Sequence, residues 1–216
     1  MGDTSLEMSP VEYAARVENF QGRVSWVREA RRLIETVDTK SSVLSRCRVL
    51  DFGCGTGKLC RMLAGQGASV VGVDPSDEML RRAEECEIGF VRPARPAYVR
   101  LDDRLPDHLG TFDVIFCLHV LGHTDDVAET LGMLSGALAD KGRIVVLNPN
   151  LTHTLLRMPY NWLRGFKADP TIRHRFTLSG LENHARQASL RAEWAYMTGE
   201  RFLGASSMMA ASLVHA

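Results

Sequence analysis

The chain has 216 residues, with 45% hydrophobic and 24% charged side chains and 26 basic residues balanced by 26 acidic ones. That length suits one well-buried domain better than two. A neutral balance also excludes the broad electrostatic attraction on which non-specific nucleic-acid binding relies.

Taken from the N-terminus, "MGDTSLEMSPVEY" lacks the charged-then-apolar pattern of a secretory signal, and no apolar run reaches the length needed to cross a bilayer. The expectation is a cytoplasmic protein with no integral membrane segment. Gly2 fits a myristoylation site only loosely. From Val11 to Val37 apolar residues recur at helical spacings and predict two helices, so residues 1–45 are expected to form a helical cap. The five cysteines, 47, 54, 60, 86 and 117, form no CxxC pair and no Cys/His cluster, which points to reduced thiols and to no metal site.

From Arg48 the chain alternates short apolar runs with helical patterns. Strands are expected at 48–52, 69–73, 97–101, 112–117 and 143–147, and helices at 57–66, 76–86 and 125–139. Strands alternating with helices imply right-handed crossovers and a mainly parallel, doubly wound sheet with helices on both faces. After Pro149 the stretch to Arg175 has no clean period and is longer than a plain connection, so residues 150–176 are expected to be an insert with a functional role. A helix opened by Thr177 or Ser179 follows, then strand-like runs at "AEWAYMTG" and "SSMMAASLVHA". The whole, 1–216, reads as a single domain.

"RVLDFGCGTGKLCRMLAGQGASVVGVDPSDEML", Arg48 to Leu80, carries the chemistry. A dinucleotide loop has the pattern GxGxxG, but here Gly53, Gly55 and Gly57 bring the third glycine one residue early, and Asp51 precedes them. An ionised Asp repels a pyrophosphate and favours a cationic amine, so the loop suits a zwitterionic ligand without phosphate. Asp74 closes the next strand, where a carboxylate can accept from both hydroxyls of a ribose.

This stretch resembles motif I and the following acidic strand of the class I, Rossmann-like S-adenosylmethionine-dependent methyltransferases of small-molecule type. "RLDDRLP", "GTFDVIFCLHVLGHTDD", "LADKGRIVVLNPN" and "VEYAARVENF" continue the likeness. The resemblance implies a seven-stranded sheet and S-adenosylmethionine as cofactor, leaving S-adenosylhomocysteine as product. By position, Asp51, Gly53, Cys54 and Gly55 would hold the methionine moiety and Asp74 and Pro75 the ribose side. Met79 and Leu101 would flank the adenine, Asp102 or its neighbour Asp103 would take its amine, and Cys117 and Leu118 would line the methyl-donor side. Tyr13 would cover the methionine end. His119 stands where relatives place a polar residue near the substrate, and His123 at a position with an orienting role, which makes them the catalytic candidates. His153 and Tyr160, in the insert that forms an acceptor-site wall or lid, are the substrate candidates.

The implied reaction is methyl transfer to the N or O atom of a small molecule, by a monomer or homodimer. A non-catalytic cofactor-binding protein and a nicotinamide-dependent oxidoreductase are the alternatives. The apolar residues between Leu155 and Phe166, with Arg157, Arg164 and Lys167, would make a lid for a lipid acceptor, a membrane-docking face or ordinary packing.

Overall fold

The computed structural model describes residues 9–41, 44–88, 95–163, 172–203 and 205–216. Gly2, Arg164, Phe166 and Lys167 lie outside the described residues. The chain opens with α1 (Pro10–Gln21) and α2 (Val24–Ser41). A capping box starts α1: the Ser9 hydroxyl accepts from the Glu12 N–H, and the Glu12 carboxylate accepts from the Ser9 N–H at 3.0 Å. Along α2, Trp26, Ala30, Leu33, Ile34 and Val37 fall on one face and are buried. A fully buried Leu or Ile of this kind contributes about 1.5–3 kcal/mol relative to exposure.

Seven strands follow, interleaved with helices: β1 (Arg48–Phe52), α3 (Lys58–Ala64), β2 (Ser69–Asp74), α4 (Asp77–Glu85), β3 (Ala97–Arg100), β4 (Phe112–Leu118), α5 (Val127–Gly136) and β5 (Leu138–Pro149). The chain ends with α6 (Leu151–Leu163), α7 (Leu178–Gln187), β6 (Leu190–Phe202) and β7 (Ala205–His215). The strand order is β3-β2-β1-β4-β5-β7-β6. The first five strands in that order are parallel, and β7 pairs antiparallel with both β5 and β6.

Each face of the sheet carries its own core. One gathers Leu50, Ile115, Leu131 and Ile144 with Phe176 and Leu181 from the α5 and α7 side. The other gathers Val49, Phe116 and Leu147 with Leu33 and Trp26 of α2 and Leu59 and Leu63 of α3.

Two expectations need correction. β5 begins at Leu138 rather than 143, because a register shift between Phe112 and Val114 absorbs the polar Asp140-Lys141-Gly142 turn, and α5 stops at Gly136 accordingly. Residues 151–163, where no period was visible, form a helix despite Pro159 in its interior. The carbonyl this proline leaves without its helical donor lies on Leu155, an exposed residue, so water can satisfy it.

Candidate functional site

The order places β1 and β4 side by side at the point where the chain reverses direction across the sheet, and a ligand belongs outside the carboxyl ends of such strands. Beyond Phe52 the chain turns back sharply. The N–H groups of Gly53 and Cys54 both donate to the Val73 carbonyl of β2, at 2.8 and 2.9 Å. Gly53 has φ +72°, and a Cβ there would lie 2.4 Å from the Val120 side chain. Gly55, at φ +53°, approaches α1 so closely that a Cβ would press on Val17 and Gln21.

Asp74 ends β2 against this loop. One carboxylate oxygen accepts from the Gly55 N–H and the other from the Ser76 N–H, each at 2.9 Å. Each oxygen keeps a second lone pair. Burial raises the Asp74 pKa, and the two N–H donors oppose that rise. Asp51 is 3% exposed and sits behind the loop, where the Cys60 thiol donates to it at 3.1 Å. Desolvation, with Asp74 nearby, pushes its pKa up to about 7. A buried carboxyl so raised favours an adjacent cation.

The loop, β2, β4 and α1 enclose a cavity of about 590 Å³. Tyr13, Gly53, Gly55, Asp74, Pro75, Met79, Leu118, His119 and His123 all line it, bringing nine of the sequence-derived candidates together. The others, the buried Asp51 among them, lie off the lining. Cys54 and Cys117 are buried beneath it, Leu101 is half-buried, and Asp102 points outward with its side chain 83% exposed, 3.7 Å from the Arg100 guanidinium. His153 is buried on α6, and Tyr160 is exposed on the same helix with the Arg157 guanidinium over its ring.

His119 follows β4 directly. Its backbone is in the left-handed region at φ 63°, held by its N–H donating to the Leu147 carbonyl at 2.7 Å. Its ring meets Phe20 of α1 edge-on, with centroids 5.1 Å apart. Burial, with His123 nearby, brings its pKa down to about 4, so the imidazole is neutral at ordinary pH. Across the cavity, the Arg173 and His174 N–H groups donate to the Gly122 carbonyl at 2.7 and 3.0 Å. This ties the end of the insert to the turn carrying both candidate histidines, and Ile172 thereby joins the lining.

Several lining residues were missed in the sequence. Phe20 belongs with Tyr13 and Val17 to a stripe spaced by three and four residues on α1, within the "VEYAARVENF" stretch that carries the likeness. Trp26 and Met208 carried no signal. Met208 arrives because β7 inserts between β5 and β6, with its Cα opposite Pro149.

A family model described as a methyltransferase domain matches residues 20–193. The ubiquinone biosynthesis O-methyltransferase of Rhodopseudomonas palustris (strain HaA2) is 31% identical over 134 residues, 59% of this chain and 50% of that protein. Its counterpart in Xylella fastidiosa (strain 9a5c) is 34% identical over 116 residues, 53% of this chain and 46% of that protein. The chain thus spans about half the length of the curated relatives it matches. Among solved structures, magnesium protoporphyrin IX methyltransferase from Synechocystis PCC 6803 with bound SAH superposes with a TM-score of 0.73 at 19% identity, covering 94% of each chain. An S-adenosylmethionine dependent methyltransferase from Mesorhizobium loti gives 0.68 at 20% identity, covering 89% of this chain and 98% of that one. At these identities the likeness is one of fold.

Proposed function

The chain belongs to the class I S-adenosylmethionine-dependent methyltransferases, and from that premise we propose that it transfers the methyl group to a nitrogen or oxygen of a small molecule, with oxygen preferred. The observation that carries this reading is the convergence, in one cavity, of the Gly53–Gly55 turn and the Asp74 carboxylate with His119. The names of the curated relatives, O-methyltransferases, support the preference for oxygen.

The residues present fit the cofactor. The glycine turn leaves the space a Cβ would fill, and the free lone pairs of Asp74 suit a ribose diol. Asp51, behind the turn, supplies negative potential for an ammonium group. Pro75 and Met79 offer apolar contact to an adenine, and Tyr13 with Phe20 covers the site from α1. Asp102, turned to solvent, is left out of this set. When bound, the cofactor supplies a methyl group already activated on a sulfonium.

The protein's remaining work is to orient the acceptor, exclude water and receive a proton. His119 is placed for the last of these, since its neutral ring lines the cavity beside Leu118. A hydroxyl acceptor would lose its proton to this ring as the oxygen–carbon bond forms. His123, also on the lining, would orient the acceptor.

Calorimetric titration with S-adenosylhomocysteine and with NAD tests the cofactor, and release of S-adenosylhomocysteine with phenolic and amine acceptors tests the transfer. S-adenosylhomocysteine is expected to bind and NAD not to. Asp74→Ala should weaken cofactor binding by about 1.5–3 kcal/mol, the loss expected for hydrogen bonds to a charged group. Tight NAD binding without cofactor binding would overturn the reading.

A further inference from the structure

The wall of the cavity opposite the glycine turn is basic. Arg16 of α1 and Arg23, in the link between α1 and α2, both line it, and Asp74 is the only carboxylate among the described lining residues. Asp74 is committed to the turn, where its two oxygens accept from the Gly55 and Ser76 N–H groups. A ligand on the Arg23 side therefore meets positive charge, which favours an anionic group.

Phe20 links Arg23 to the candidate base. The Arg23 guanidinium lies over the Phe20 ring, 5.6 Å from its centroid, and the same ring meets the His119 imidazole edge-on at 5.1 Å. Cation and imidazole thus flank one side chain, and a small acceptor lying alongside Phe20 can reach both. A guanidinium over a ring spends its face on that contact, while its five N–H donors lie in its plane. No carboxylate among the described residues pairs with Arg23. The residue is exposed as well as lining, which places it at the cavity mouth.

The body of the acceptor is constrained too. Phe20, Trp26, Val120, Ile172 and Met208 give apolar lining, against which an aromatic ring packs well. His119, with its pKa brought down to about 4, is a weak base, and a weak base serves an acidic hydroxyl better than an alkyl one. A phenol, with a pKa of about 10, is such a hydroxyl.

We propose that the acceptor is a phenol bearing a carboxylate, with the carboxylate held by the Arg23 guanidinium and the hydroxyl at His119. A carboxylate matches one guanidinium in charge and in its planar fork. In the transfer the phenol oxygen bonds to the methyl carbon as the carbon–sulfur bond breaks, the bonding pair returns to sulfur, and the hydroxyl proton passes to the His119 ring. The proposal rests on the methyl-transfer reading, but its ligand preference is measured without turnover.

The test is calorimetry with para-hydroxyphenylacetate, its neutral amide and the cationic tyramine, each with and without S-adenosylhomocysteine present. The acid should bind about tenfold more tightly than the amide, about 1.4 kcal/mol, and tyramine most weakly. Arg23→Gln should erase that difference, Arg23→Lys should keep part of it, and Arg23→Glu should reverse the order. S-adenosylhomocysteine should bind each variant within about twofold of wild type, which also reports that the variant is folded. Failure of wild type to bind S-adenosylhomocysteine would overturn the methyl-transfer reading, whereas the preference for the acid is read from the phenols alone, so the two fail separately. The proposal is overturned if acid and amide bind alike, if neither binds, or if Arg23→Gln keeps the preference. It is overturned as well if Arg23→Gln weakens S-adenosylhomocysteine rather than the acid, which would assign the guanidinium to the cofactor.

Discussion

At Asp51 burial and charge are in conflict, and the conflict has a measurable sign. The folded, ligand-free protein holds the proton up to about pH 7, whereas an exposed carboxyl loses it near 3.8. Between those values the folded state binds more protons than the unfolded chain, so this group's contribution to stability is full below about pH 4 and is lost as pH rises through 7. Asp51→Asn, which keeps an oxygen to accept from the Cys60 thiol, should flatten the slope of Tm against pH over that range. A cofactor ammonium favours the ionised form, so S-adenosylhomocysteine binding should release protons near pH 7 and tighten as pH rises. Calorimetry in buffers of different ionisation enthalpy reads this directly, and binding without proton release would separate Asp51 from the ligand amine. His119 presents a second conflict. A non-glycine residue at φ 63° stores strain of order 1–3 kcal/mol, the kind that persists where function needs it. His119→Gly relieves that strain and removes the ring. Its Tm should be no lower than wild type while turnover falls on the order of 10²- to 10⁴-fold, the range for losing a general base. Because the ring is neutral above its pKa of about 4, the wild-type rate should show no His119 limb between pH 5 and 8.

Among the elements, those legible in the sequence have a local cause. β1, β2 and β4 are continuous apolar runs because parallel central strands are buried on both faces, and α7 is announced by Thr177, whose hydroxyl accepts from the Gly180 N–H at 3.2 Å. α6 was not legible. Its better-covered stripe, Leu151, His153, Thr154, Arg157 and Asn161, is mostly polar while its large apolar residues stand outward, so apolar spacing does not mark the inward face. The antiparallel pairing of β7 between β5 and β6 was equally hidden, since strand order is set by contacts between distant segments. α1 is tied down at several points beyond its own packing. The Thr56 hydroxyl donates to Gln21 at 2.9 Å, and Arg82 of α4 pairs with Glu18 at 3.1 Å. Both of those ties lie in its second half. Ser9→Ala removes the capping box and should cost about 1 kcal/mol, read as faster amide exchange in the first turns of α1 with the sheet unchanged. Equal acceleration in β1 and β4 would show that α1 and the sheet open as one unit.

Across the whole molecule, the proposed cofactor side of the cavity is readable because its residues sit within one stretch, Gly53 to Met79, whose spacing is dictated by a single β-α-β turn. The rest of the lining draws Phe20 and Trp26 from the N-terminal helices, Ile172 from the insert and Met208 from the last strand, and tertiary folding alone brings them together. This division has a thermodynamic consequence. The glycine turn belongs to the sheet, but the wall facing it is α1, where a Cβ at Gly55 would touch Val17 and Gln21. A ligand seated between them therefore couples α1 to the buried strands of the sheet. S-adenosylhomocysteine at 100 times its Kd should add about 2.7 kcal/mol to stability, a Tm rise of roughly 5–11 °C for a chain of this size. Amide protection gained on binding should concentrate in α1 and in the 53–57 turn, since β1 and β4 are held by the sheet with or without ligand. Protection spread evenly over the sheet, with α1 unchanged, would mean that the helix does not contact the bound cofactor and that the acceptor enters from the α1 side.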